Sequence, residues 1–167
     1  MIDPGGPAPE FTLSDQEGNQ VELTSLRGRW VVLYFYPKAD TPGCTAQACG
    51  IRDHSGDYEA ANAVVLGVSP DSVEELRAFA DKYGLAFTLL SDVGGELASK
   101  YGVWVEKSYE DRTWWGNERS SVLVDPDGNI ARTFPKVKRR STMSLCWVRS
   151  ARRTRSRFRR WPNAGRW

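Results

Sequence analysis

A continuous apolar run covers residues 30–36, which read Trp-Val-Val-Leu-Tyr-Phe-Tyr. β-Branched and aromatic residues without polar alternation are typical of a strand that is buried on both faces of a sheet. Residues 63–69 form a second run of this kind. The first run therefore predicts a strand near the centre of an α/β sheet, and the second predicts another buried strand.

A helical pattern follows the second run. Ser72 and Glu75 have the spacing of a capping box, in which each side chain accepts a hydrogen bond from the other residue's backbone N–H. A shorter helix is predicted from a cap at Asp92 to a stop at Gly102. The apolar residues that mark the first of these helices, up to its predicted end at Gly84, are Leu76, Phe79, Ala80 and Tyr83.

Two hairpins complete the pattern. Residues 11–13 and 21–23 flank a polar turn, and residues 121–125 and 129–134 flank a Pro-Asp-Gly turn. One α/β domain therefore accounts for the chain as far as about residue 138.

The candidate catalytic residues follow directly after the first buried strand. Pro37 cannot continue the strand, and Pro42 favours a turn or the first position of a helix. Gly43 lets a ligand approach the backbone closely. Cys44 then falls in the first turn of the predicted helix, where free backbone N–H groups and the helix dipole favour a thiolate. Cys44 is therefore a candidate nucleophile at the carboxyl end of a central strand, where open α/β sheets commonly place their sites.

A second cysteine, Cys49, follows five positions after Cys44. On an intact helix this offset is about 140° of rotation and about 7.5 Å of rise, which places the two Cα atoms roughly 8 to 9 Å apart. A disulfide requires a Cα separation below about 7 Å. A bond between the two sulfurs therefore requires the first turns of the helix to unwind. The alternative is that both cysteines are ordinary buried helix residues.

The spacing Pro37-x3-Thr41-x2-Cys44, with Cys49 beyond it, resembles the active-site motif of the peroxiredoxins, in particular those of the peroxiredoxin Q or bacterioferritin-comigratory-protein type. The resemblance implies a thioredoxin-like fold, with a central mixed β-sheet flanked by helices and an N-terminal β-hairpin. The similar segments, which fall in the family's order within residues 3–138, are residues 8–13, 30–36, 67–71, 90–92, 101–104 and 119–125.

The resemblance also implies the roles of the site residues. Cys44 corresponds to the peroxidatic cysteine and Cys49 to the resolving cysteine, while Thr41 and Arg119 bind the peroxide and activate the thiolate. Without the resemblance, Arg119 is interpreted as a surface charge and Thr41 as a turn or N-cap residue. We expect Thr41 to fill both roles. The residues implied around the peroxide are Pro37, Thr41, Gly43 and Arg119.

The implied chemistry needs no bound cofactor. A hydroperoxide oxidises Cys44 to a sulfenic acid, a second thiol converts this to a disulfide, and thioredoxin or a similar thiol reductant reopens the bond. The only histidine, His54, has Asp53 and Asp57 as close neighbours and is interpreted as a solvated helix residue. Neither a metal cluster nor a Cys-His catalytic pair is expected.

Net charge divides the chain in two. Residues 1–135 contain 11 Lys and Arg against all 21 Asp and Glu, a net charge of −10, whereas residues 136–167 contain the other 12 basic residues and no acidic one. We expect neither a membrane span nor a secretory leader, so the cytoplasm is the default location. In that reducing compartment, cysteines in this pattern favour a redox cycle over a structural disulfide.

The tail, defined as residues 139–167, departs from the family, whose members usually continue with an amphipathic C-terminal helix. Its Arg-rich and Trp-rich sequence has no helical period and predicts disorder or partner-dependent order. One hypothesis is a shifted reading frame, and another is binding of nucleic acid or anionic lipid through interleaved Arg and aromatic residues. Loss of the helix predicts exposed apolar surface and lower stability or self-association. Cys146 is interpreted as incidental.

Two alternatives to a peroxidase stay open. A thiol-disulfide exchanger of the thioredoxin type shares the fold, but it uses Cys-x2-Cys, whereas four residues separate Cys44 from Cys49. The interpretation as a nucleic-acid-binding protein depends on the tail alone and does not explain the cysteine motif. We therefore expect a thioredoxin-dependent peroxidase, monomeric or weakly dimeric, and keep the exchanger and nucleic-acid binding through the tail as the less favoured alternatives.

Overall fold

The computed structural model describes residues 1–137. The predictions for the tail, its missing helix and Cys146 lie outside the described residues and stay predictions. Within residues 1–137, no helix combines the length and the apolar character that crossing a bilayer requires.

The described residues form nine strands, four α-helices and one 3-10 turn. The strands are β1 (Thr12–Asp15), β2 (Gln20–Glu22), β3 (Trp30–Phe35), β4 (Ala63–Ser69), β5 (Thr88–Ser91), β6 (Trp104–Tyr109), β7 (Arg112–Asn117), β8 (Ser120–Val124) and β9 (Ile130–Phe134). The helices are α1 (Pro42–Asp53), α2 (Ser55–Ala60), α3 (Val73–Tyr83) and α4 (Glu96–Lys100), and the 3-10 turn is Leu23–Leu26.

Seven strands form one mixed sheet in the order β2-β1-β5-β4-β3-β8-β9. The strands β3, β4 and β5 are parallel, and the outer pairs are antiparallel. The two apolar runs of the sequence become the strands β3 and β4, which pair as parallel neighbours. Because a strand in this position is covered on both sides, β3 is buried along its whole length after Trp30.

Alternate residues of β3 face two separate apolar clusters. Tyr34 belongs to the cluster that α1 and α3 cover, whereas Leu33 and Phe35 belong to the cluster that α4 covers. Helices therefore pack on both faces of the sheet, which confirms the predicted thioredoxin-like arrangement. Cys44 lies in the first cluster, so the candidate thiol is part of a packed core.

The helix signals in the sequence are confirmed in detail. Both hydrogen bonds of the Ser72–Glu75 capping box form at the start of α3, and Gly84 ends this helix with a left-handed backbone (φ 61°). The carboxylate of Asp92 accepts hydrogen bonds from backbone N–H groups in the first turn of α4. This helix begins later than predicted, at Glu96.

Four strands and helices were not predicted, namely β5, α2 and the hairpin strands β6 and β7, and neither was the 3-10 turn. The hairpin forms a separate two-stranded sheet, and β7 leaves Trp114 and Trp115 exposed, so its sequence lacks the alternation that marks a half-buried strand. The helix α2 is short and mostly polar. His54 lies between α1 and α2, so its placement inside a helix was wrong.

Candidate active site

The site begins where β3 ends. The chain leaves the sheet after Phe35, passes through Pro37 and enters α1 at Pro42, so the first turn of α1 lies at the carboxyl end of the central strands. Thr41 has the extended backbone (φ −95°, ψ 151°) that a residue before proline favours. Cys44 is the third residue of α1 and is 2% exposed.

Arg119 contacts the sulfur of Cys44. Its Nη2 donates to Cys44 Sγ at 3.1 Å, and its Nη1 donates to Oε1 of Gln47, a side chain that is 2% exposed. Gln47 lies one helical turn after Cys44, so both groups project from one face of α1. Arg119 directly precedes β8, whose antiparallel pairing with β3 brings it to the end of that strand. The predicted juxtaposition of Cys44 and Arg119 therefore exists, and the guanidinium is held in place from α1.

Thr41 is the N-cap residue of α1, but its side chain makes no capping hydrogen bond. Its hydroxyl instead donates to the backbone oxygen of Lys38 at 2.9 Å. The predicted N-cap position is correct, whereas the capping hydrogen bond is absent. Pro37 and Gly43 lie in the same loop and first helical turn, at the positions that the motif indicates.

Two carboxylates hold the loop that leads into α1. Asp71, which follows β4 and is 5% exposed, accepts hydrogen bonds from the backbone N–H of Ala39 and the hydroxyl of Ser69, both at 2.7 Å. On the surface, Asp40 accepts from Lys82 Nζ at 2.8 Å and from the hydroxyl of Tyr83 at 2.7 Å.

Lys82, and secondarily Tyr83, lowers the pKa of the Asp40 carboxyl by these hydrogen bonds. Asp40 itself has a left-handed backbone (φ 56°), a conformation that Asp tolerates better than most residues do. The two loop residues that are held, Ala39 and Asp40, both precede Cys44 in the chain, and their contacts fix the path of the loop relative to β4 and α3.

Two stacked tyrosines lie in the same apolar cluster as Cys44. The rings of Tyr34 and Tyr36 lie with their centroids 5.2 Å apart, and both side chains are 1% exposed. Burial raises the pKa of both phenols, so they stay neutral at physiological pH. Tyr34 fits because its neighbour on β4 is Gly67, where a Cβ would lie 2.7 Å from the phenol oxygen.

Cys49 lies on the same helix as Cys44 but is not brought into contact with it. Both are free thiols, α1 is continuous through both, and Cys49 is half-buried. The structure therefore represents the reduced, fully folded state, in which the helix keeps the two cysteines apart. Within residues 1–137, no group of three or more His, Cys, Asp or Glu side chains is arranged to hold a metal ion.

Sequence reasoning missed Gln47 and Asp71 as site residues. Gln47 is a polar residue three positions after Cys44 on a helix that packs against the sheet, a position that could have suggested a buried partner. Asp71 follows a buried strand in the block Ser69-Pro70-Asp71, which was noted as similar to the family but given no role. Its hydrogen bond to Ala39 joins segments 32 residues apart, a pairing that local sequence does not reveal.

Comparison with known proteins shows the family of the chain. The sequence profile of the AhpC/TSA family matches residues 4–133. The chain is 49% identical over 134 residues to Peroxiredoxin Bcp of Escherichia coli, an alignment that covers 80% of this chain and 86% of that protein.

Two solved structures show the same fold. The bacterioferritin comigratory protein of Xanthomonas campestris, described for its alkyl peroxide reduction activity, has a TM-score of 0.78 and 34% identity, with 86% of this chain and 90% of that chain covered. A cysteine-to-serine variant of Xylella fastidiosa PrxQ has a TM-score of 0.83 and 29% identity, with 92% and 97% covered. On the extent of the sequence match and the shared fold, the chain belongs to the AhpC/TSA family, among the Bcp and PrxQ peroxiredoxins.

Proposed function

We propose that Cys44 is the peroxidatic cysteine of this chain and that it reduces hydrogen peroxide and organic hydroperoxides. The chain is a thiol-dependent peroxidase, as a member of its family. The observation that carries the assignment of Cys44 is the hydrogen bond from Arg119 Nη2 to its sulfur at 3.1 Å. A fixed cation beside a buried sulfur favours the thiolate, which is the nucleophilic form.

In the first step the thiolate attacks one oxygen of the hydroperoxide, forming an S–O bond as the O–O bond breaks. The second oxygen leaves as hydroxide or alkoxide and takes up a proton to become water or an alcohol. Cys44 is oxidised by two electrons to a sulfenic acid. Negative charge moves from the sulfur to the departing oxygen, so the Arg119 guanidinium can stabilise both ends. The hydroxyl of Thr41, three residues before Cys44, can turn from Lys38 to donate to the peroxide.

In the second step Cys49 resolves the sulfenic acid. Its thiol attacks the Cys44 sulfur, a disulfide forms and water leaves. The helix must unwind between the two residues, because an intact α1 holds their Cα atoms roughly 8 to 9 Å apart. A dithiol reductant, thioredoxin or a similar protein, then supplies two electrons and two protons by thiol exchange and restores both thiols.

We assign this cycle to residues 1–138 as a single domain, acting as a monomer or a weak homodimer. A cytoplasmic location fits the proposal, because the cycle depends on a compartment that keeps thiols reduced.

A coupled assay tests the cycle. NADPH consumption is followed with thioredoxin reductase, thioredoxin and hydrogen peroxide, for the full chain and for three single substitutions. Cys44→Ser is expected to abolish turnover, Cys49→Ser to retain one oxidation of Cys44 but to lose rapid recycling, and Cys146→Ser to behave as wild type. Full turnover by Cys44→Ser would refute the assignment. Reduction of insulin without peroxidase activity would identify a thiol-disulfide exchanger instead.

A further inference from the structure

The β6–β7 hairpin is attached to the active site through Asn117. This residue ends β7 and is fully buried. Its side-chain Nδ2 donates to the backbone oxygens of Tyr36 and Val68, at 3.2 and 3.1 Å. These oxygens lie at the carboxyl ends of the two central strands, where the loop to Cys44 begins. The hairpin is therefore fixed to the edge of the sheet that carries the reactive thiol.

Lys107 reaches this same edge from β6. Its Nζ donates to the backbone oxygen of Asn117 at 2.6 Å, and Asn117 precedes Arg119 by two residues. Within residues 1–137 no carboxylate lies in ion-pair contact with Lys107 or Arg119. Two side-chain cations, each without a paired acid, therefore converge on the end of the sheet where one ionisable sulfur lies.

The groups that shift the pKa of Lys107 agree with this placement. Burial lowers the pKa of Lys107, and the charge of Arg119 lowers it further, whereas negative charge on Cys44 and on Glu118 raises it. A Coulomb interaction is mutual. If the Cys44 thiolate stabilises the Lys107 ammonium, the ammonium stabilises the thiolate to the same extent.

We propose that Lys107 is a second cation of the peroxidatic site, which acts with Arg119 on the negative charge carried first by Cys44 and then by the departing oxygen. Arg119 donates a hydrogen bond directly to the sulfur. Lys107 acts on the sulfur only through its electric field, and the backbone oxygen of Asn117 holds its ammonium group in place. The proposal rests on the proposed function, because it assumes that the reacting sulfur is that of Cys44.

Three substitutions at Lys107 separate its charge from its hydrogen bond. Lys107→Arg keeps both the charge and a donor, Lys107→Gln keeps a donor without the charge, and Lys107→Met removes both. The matched control is Arg112→Met, which removes an exposed cation from the same hairpin, outside the site.

The measurements are the rate of Cys44 oxidation by hydrogen peroxide in a single turnover and the pH dependence of Cys44 alkylation by iodoacetamide. Lys107→Met and Lys107→Gln are expected to slow oxidation by about 3-fold to 30-fold, since one partly solvated charge within a Debye length contributes on this scale. Both are also expected to move alkylation to higher pH. Lys107→Arg and Arg112→Met are expected to stay close to wild type.

Equal oxidation rates for wild type, Lys107→Met and Lys107→Gln would overturn the proposal. It would also be overturned if Lys107→Gln kept the wild-type rate while Lys107→Met lost it, because the hydrogen bond to Asn117 would then be the cause. The alkylation profile is measured on folded protein, so a loss of stability alone would leave it unmoved. Failure of the proposed function is distinguishable, because wild-type protein would then show no oxidation of Cys44.

Discussion

Oxidation of the two cysteines should unwind α1, and the size of the effect follows from the length of this helix. In the reduced state α1 runs without a break from Pro42 to Asp53 and contains Cys44 and Cys49 as free thiols. Helix geometry keeps their Cα atoms roughly 8 to 9 Å apart, and a disulfide needs less than about 7 Å. The bond and the intact helix therefore exclude each other.

The loss of helix is large enough to measure, because α1 is the longest of the described α-helices, with 12 residues against 11, 6 and 5 in the others. Unwinding as far as Cys49 would remove about a quarter of the α-helical residues within 1–137, and unwinding of the whole of α1 about a third. Ala48, which is 0% exposed, lies on the part of the helix that unwinds as far as Cys49, whereas Ile51, which is 5% exposed, would leave the core only if the whole of α1 unwound. Exposure of the Ile51 side chain alone would cost about 1.5 to 3 kcal/mol.

The assay is circular dichroism at 222 nm, together with hydrogen exchange of the α1 amides, before and after stoichiometric hydrogen peroxide. Mass spectrometry maps the Cys44–Cys49 bond in the same sample. The control is Cys49→Ser, in which Cys44 reaches the sulfenic acid but cannot form this disulfide, so α1 should keep its ellipticity and its slow exchange. A mapped Cys44–Cys49 bond with unchanged ellipticity and unchanged protection of Ala48 and Ile51 would refute the reasoning.

Two further predictions concern the support of the site. Gly67→Ala should lower the free energy of unfolding in urea by about 1 to 3 kcal/mol. The new Cβ would lie 2.7 Å from the phenol oxygen of Tyr34, whose side chain is buried in the core. Unchanged stability would show that the core can relax around the added methyl group. The Asp40–Lys82 pair should make a small pH-dependent contribution. Lys82 lowers the folded-state pKa of Asp40, so this contribution is present above the unfolded-state pKa of Asp40 and is lost as the pH falls through the lower folded value. The thermal midpoint of Asp40→Asn should therefore lie below that of wild type at pH 7, and the two should converge in acid; a constant difference at every pH would contradict the linkage.

Much of the fold was predictable because its signals are local. A capping box needs only Ser72 and Glu75 at the right spacing, and a left-handed helix end needs only a glycine at position 84. The start of α1 is equally local, because Pro37 and Pro42 end the strand and favour the helix by their own geometry. Cys44 could therefore be placed in a first helical turn without knowledge of any distant residue.

The partners of Cys44 were not predictable in this way. Arg119 was assigned only through resemblance to a family, since its contact with the sulfur joins residues 75 positions apart. Gln47 was missed because the bond that explains it comes from Arg119, 72 positions away. The hairpin of Lys107 and Asn117 was missed because its strands are exposed on one side and lack a clear alternation.

Local sequence was sufficient for the strands β3 and β4, for the capped helix α3 and for the position of Cys44, the proposed nucleophile, in a first helical turn, because backbone preferences and capping depend on neighbours only a few residues apart. The contact of Arg119 with the sulfur was decided by the pairing of β8 with β3, and the place of the proposed second cation by the docking of the hairpin on the strand ends. These contacts depend on how the sheet is assembled. A residue's sequence position alone does not specify the distance between its side chain and a sulfur on another element.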